Sequence, residues 1–109
     1  MFSFVLYSDD SISMHLNWFG LGALTVVDKH GGRRRAHPIQ KQFFRAVADE
    51  LQTMGVSLSP SDPVCRSAFR EIAKTIYDFP PDGLVWRTAY AEGPKALAQG
   101  HLQMVRERP

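Results

Sequence analysis

The chain has 109 residues, 44% of them hydrophobic and 22% charged, which is the make-up of one folded domain and not of a disordered tail. Its one cysteine excludes an internal disulfide framework and a multi-cysteine zinc site. The longest apolar stretch, residues 16–27, is broken by Asn17 and two glycines and falls short of the roughly 20 residues a membrane span needs.

The first third reads as strands. Phe2, Phe4 and Leu6 recur with a period of two, and Ser8-Asp9-Asp10-Ser11 is turn material. In the next run Ile12, Met14, Leu16 and Trp18 alternate with polar residues, so all four share one face of a strand. A third strand runs from Ala23 to Lys29, with Leu24 and Val26 on one face. His30-Gly31-Gly32 supplies the turn of a hairpin, and Arg33 to Ala36 return as a short fourth strand.

Helices follow. Pro38 suits a first helical position, and Ile39, Phe43, Val47, Leu51 and Met54 recur at helical spacing until Gly55. Asp62-Pro63 opens a second helix whose stripe is Val64, Cys65, Ala68, Phe69, Ile72, Ala73 and Ile76. Phe79-Pro80-Pro81-Asp82-Gly83 ends it. Leu84 to Tyr90 is read as a late strand, with Leu84, Trp86 and Tyr90 on one parity. Gly93-Pro94 opens a C-terminal helix that lines up Leu97, His101, Met104 and Val105. The expected architecture is a single α+β domain over residues 1–109. In it an N-terminal antiparallel meander of three or four strands packs against two core helices, followed by the late strand and the last helix. Trp18 and Trp86 are expected in the core, as is Cys65.

Charge is unevenly placed. Lys29, Arg33, Arg34, Arg35, Lys41 and Arg45 follow one another with no acidic residue among them, whereas the other seven Lys/Arg share the chain with all eleven Asp/Glu. Net charge is only +2 and the sequence pI about 8.9, so clustering, not total charge, carries the signal. With His30 and His37, these six residues form the candidate partner-binding site. The start of the first helix lies at its centre, where free N–H groups attract anions. The competing reading is a solvated hairpin tip whose arginines pair with Asp28, Asp49 or Glu50. Arg66, Arg70 and Lys74 make a second basic ridge on helix two, which Glu71 and Asp78 are placed to neutralise.

Chemistry-bearing motifs are missing. Gly20-Leu21-Gly22 lacks the third glycine of a dinucleotide fingerprint, and no P-loop or Gly-x-Ser-x-Gly elbow occurs. The four histidines show no ligand-like spacing. The expectations are therefore no catalytic residues, no metal and no cofactor. The N-terminal segment lacks a basic region ahead of its apolar run, which suggests a cytoplasmic protein. The sequence favours a small non-enzymatic binding or regulatory protein, of inhibitor or adaptor type, docking on a macromolecule with an anionic surface and not on a membrane. A protein partner ranks slightly ahead. The alternative is a direct DNA- or RNA-binding protein using the same basic patch.

Overall fold

The computed structural model describes residues 3–17 and 22–107; the side chains of Ala89 and Tyr90 also lie outside the description. The chain order is β1 (Ser3–Ser8), β2 (Ile12–Asn17), β3 (Ala23–Asp28), β4 (Arg33–Arg35), α1 (Pro38–Thr53), α2 (Pro63–Asp78) and α3 (Leu84–Arg106). The strands form one antiparallel sheet in the order β1-β2-β3-β4, the expected meander. Phe2 and Trp18, read as strand and core residues, lie outside the described residues.

Register sorts the strand side chains onto two faces. Phe4, Leu16 and Leu24 share one face with the row Tyr7, Met14, Val26 and Arg34. This is the inner face: Tyr7, Ile12, Met14, Leu24 and Val26 are all buried there in one cluster with the helices. The outer face carries the rows Ser8–Ser13–Val27–Arg33, Val5–His15–Thr25–Arg35 and Ser3–Asn17–Ala23. In β1 the expected alternation fails. Two steps from Val5 to Tyr7 face one step from His15 to Met14, so Leu6 is the extra residue of a bulge. The bulge turns Tyr7 inward, so Tyr7 and not Leu6 fills the fully buried position.

Helices α1 and α2 begin where the sequence places them. Asp62 caps α2, its carboxylate accepting from the N–H groups of Val64 and Cys65, with Pro63 in the first turn. All seven residues of the expected α2 stripe are buried. Helix α1 buries Phe43, Phe44, Val47, Ala48 and Leu51, and Gly55 follows it at φ 83°, a conformation that glycine adopts without steric cost. Ile39 departs from the expected stripe. It stays exposed, and Gln40 takes the inward position.

The late strand is corrected. Residues 84–90 belong to α3, which runs to Arg106 with a break at Gly93 (φ 87°, ψ 159°) just before Pro94. The seven-residue run 84–90, with Arg87 and Thr88 inside it, carries no decisive period. Leu84 is 75% exposed and Trp86 1% exposed, so the two do not share a face. Trp86 enters between the other helices, edge-on to Phe43 with ring centroids 5.8 Å apart, and its indole N–H points at the Thr75 carbonyl at 3.4 Å. Beyond the break Ala98 is buried, Leu97, His101 and Val105 are half-buried, and Met104 is exposed. No described helix is long and apolar enough to cross a membrane.

Candidate functional site: a basic sheet face beside the start of the first helix

The hairpin between β3 and β4 is built on Asp28. Its Oδ1 accepts from the backbone N–H of His30 and of Gly32, both at 2.8 Å, and its Oδ2 accepts from the Tyr77 hydroxyl of α2 at 2.5 Å. These bonds, the Tyr77 hydroxyl first, hold the Asp28 carboxyl below its usual range and push the Tyr77 phenol up. Gly31 takes the positive φ of the turn, 83°. Gly32 is required for space, because a Cβ there would stand 2.6 Å from the Tyr77 hydroxyl oxygen. Asp28 is therefore committed to the turn and does not pair with an arginine.

The strand period then divides the three arginines. Arg33 and Arg35 lie on the outer face, opposite Val27 and Thr25. Arg34 lies on the inner side, its guanidinium carbon 5.4 Å from the centre of the Tyr77 ring. Arg35 joins Lys41 and Arg45 of α1 around a hollow of about 560 Å³ beside Ala23 and Leu24, and no carboxylate lines it. Among the described residues, Arg33, Arg35 and Arg45 make no ion pair, and neither Asp49 nor Glu50 reaches them. Lys29 and His30 sit exposed at the hairpin tip, at the far end of β3 from this hollow.

At the start of α1, where an anion site is expected, two backbone donors are taken up within the chain. His37 is the N-cap: its Nδ1 accepts from the Ile39 N–H at 3.3 Å, and its own N–H donates to Gln40 Oε1 at 2.9 Å. Those donors are spent within the chain. His37 thus caps its own helix, and Arg34 shares a hollow with Arg35, His37 and Tyr77. Arg35, Lys41 and Arg45 line one hollow, and Arg33 stands two residues from Arg35 on the same face of β4.

The second basic ridge is a fastening. Arg66 donates to the carbonyls of Pro60 and Ser8 and lies 5.0 Å over the Tyr7 ring, and Arg70 Nε meets Asp9 at 3.2 Å. Asp9 also accepts from the Tyr7 hydroxyl and from the N–H groups of Ser11 and Ile12. Burial alone would raise its carboxyl, but these bonds outweigh it and hold Asp9 far below the usual range. The expected local partners are not used in the way the sequence suggests: Arg70 reaches the β1–β2 turn, and Glu71 turns to α3.

Sequence reading missed one polar chain. The Ser67 hydroxyl and His101 Nδ1 are 2.7 Å apart, and His101 Nε2 lies 3.0 Å from Glu71 Oε2, at the edge of a hollow of about 680 Å³. Ser67 and Glu71 stand one turn apart on α2, but His101 is 34 residues away and nothing in the sequence joins them. The hydrogen bond from His101 lowers the Glu71 carboxyl. Ser67 lies inside α2, where the backbone N–H groups are taken by the helix. The chain ties α3 to α2. Cys65 is fully buried with its thiol 3.2 Å from the Ser57 carbonyl, and burial pushes that thiol up, away from the reactive thiolate. Among the described residues no cluster of three or more His, Cys, Asp or Glu gathers to hold a metal ion.

No family model matches the chain, and no curated protein or solved structure matches it.

Proposed function

We propose that this is a small binding or regulatory protein that docks on a macromolecule with an anionic surface. The contact centres on Arg33, Arg35, Lys41 and Arg45. The observation that carries this reading is the unspent charge of Arg33, Arg35 and Arg45. Asp28 serves the hairpin turn, and Arg33, Arg35 and Arg45 have no ionic partner among the described residues. Cations of one sign gathered around an acid-free hollow repel one another, and an incoming anion relieves that repulsion while forming charge-assisted hydrogen bonds. Long-range attraction also speeds encounter with such a partner.

Heparin is a suitable polyanion for the test. Wild-type protein should be retained on a heparin column, and Arg35→Glu/Arg45→Glu should elute at clearly lower salt with an unchanged far-ultraviolet circular dichroism spectrum. Elution of the variant with the wild type would overturn the reading.

A further inference from the structure

The outer face of the sheet differs in kind from a protein-docking surface. Its rows hold Ser13, His15, Asn17, Arg33 and Arg35, no carboxylate, and only Val5 and Val27 as larger aliphatic groups. It is already ordered by its own bonds: His15 Nε2 lies 2.8 Å from Ser13 Oγ, and Asn17 Nδ2 donates to Thr25 Oγ1 at 3.1 Å. The helices cover the opposite face, where every buried apolar strand residue lies. Protein interfaces draw their energy from aromatic and aliphatic anchors in dry pockets, and the described residues of this face offer none. Polar, positively charged faces with little apolar area are what nucleic-acid interfaces are made of.

Resting on the anionic docking reading above, we infer that this outer face, led by Arg33 and Arg35 on the β3–β4 ribbon, docks in the major groove of double-stranded DNA. The B-form major groove, about 12 Å wide, admits a two-stranded ribbon. Here β4 is the free edge of the sheet and β3–β4 is such a ribbon. Residues two apart on a strand are separated by roughly 6.6 Å. That is close to two steps of about 3.4 Å along one DNA strand. Arg33 and Arg35 therefore meet successive alternate positions of the duplex, where a guanidinium fork matches O6 and N7 of guanine. Arg45, beside Arg35 on the same flank, falls toward the phosphates bordering the groove. An A-form RNA duplex has a deep and narrow major groove that excludes such a ribbon.

The test is fluorescence anisotropy of the full chain with a labelled random 20-base-pair DNA duplex between 50 and 200 mM salt, set beside an RNA duplex and a single DNA strand of the same length. Binding at 50 mM should prefer duplex DNA. With three to four phosphate-range contacts, log affinity should fall against log salt with a slope of about −2.7 to −3.6. Arg33→Ala/Arg35→Ala should weaken binding at least tenfold, while Arg87→Ala/Arg106→Ala, an equal charge change on exposed positions of α3, should not. The inference is overturned by absence of duplex binding at 50 mM, by tighter binding of RNA or single strands, or by equal effects of the two double variants. Retention on heparin that still depends on Arg35 and Arg45, without duplex binding, would leave anionic docking standing and assign the face to an acidic protein. Loss of both would remove both readings.

Discussion

Leu84 and Trp86 give the sharpest test of how the last third of the chain is built. A strand through 84–90 places both side chains on one face, so both would matter alike. The helix buries only the second: Trp86 is 1% exposed and packs edge-on to Phe43, while Leu84 is 75% exposed. Truncating a buried tryptophan to alanine costs about 3–5 kcal/mol in transfer energy and cavity. The aromatic pair with Phe43 contributes about 0.5–1.5 kcal/mol beyond its area, which places Trp86→Ala toward the upper end. Unfolding entropy of about 2.1 cal/mol/K per residue over this length makes 1 kcal/mol worth roughly 4 °C in Tm. Trp86→Ala should therefore lower Tm by about 13–22 °C. Leu84→Ala, an exposed change, should stay within about 2 °C. Differential scanning calorimetry of the two variants decides. Comparable losses at both positions would refute the helical placement of this segment.

The remaining expectations concern acid, core, charge and thiol. Asp9, Asp28 and Glu71 all have carboxyls lowered by their folded-state hydrogen bonds. The stability they contribute is complete above the ordinary carboxylate range near pH 4 and is lost as pH falls through their folded values. Tm should thus drop steeply below about pH 4 and less steeply in Asp9→Asn, and a flat profile down to pH 2 would contradict this. Ile72→Ala, at a buried position between helices and sheet, should cost about 2–5 kcal/mol in urea unfolding, and a neutral result would show the α2 phase to be wrong. Replacing Arg33, Arg34 and Arg35 together with alanine should shift Tm by no more than about 4 °C, since only the exposed Arg34–Tyr77 contact is lost. Cys65 should resist a thiol reagent in the native protein and react at once in denaturant; rapid native labelling would place the thiol at the surface.

The parts of the fold that the sequence discloses are those with a long, regular period or a cap of known chemistry. Helix α2 has both, sixteen residues with Asp62 and Pro63 at its start, and its buried set is read without error. Strands β2 and β3 alternate cleanly and pair as expected. Legibility fails where one residue resets the phase. The extra Leu6 reverses the parity of β1, and the short run before Gly93 fits either period. The site was legible as charge but not as direction. Composition places eight basic residues together, yet the strand period sends Arg34 to Tyr77, and His37 is taken by its own helix. The Ser67–His101–Glu71 chain was invisible because hydrogen-bond partners on separate helices leave no local pattern.

The Leu6 bulge has a consequence for how the protein behaves at high concentration. Strand β1 is the other edge of the sheet, and residues 3–8 carry no charge and no proline, the usual means of keeping an edge from recruiting a neighbour. Phe4 and Val5 are exposed beside it. An approaching strand needs evenly spaced donors and acceptors, and the bulge spoils that spacing halfway along. Leu6 is therefore the residue that interrupts this edge. Deleting Leu6 would straighten the edge into a template for stacking copies side by side, read as light scattering that rises more steeply with concentration than in the wild type.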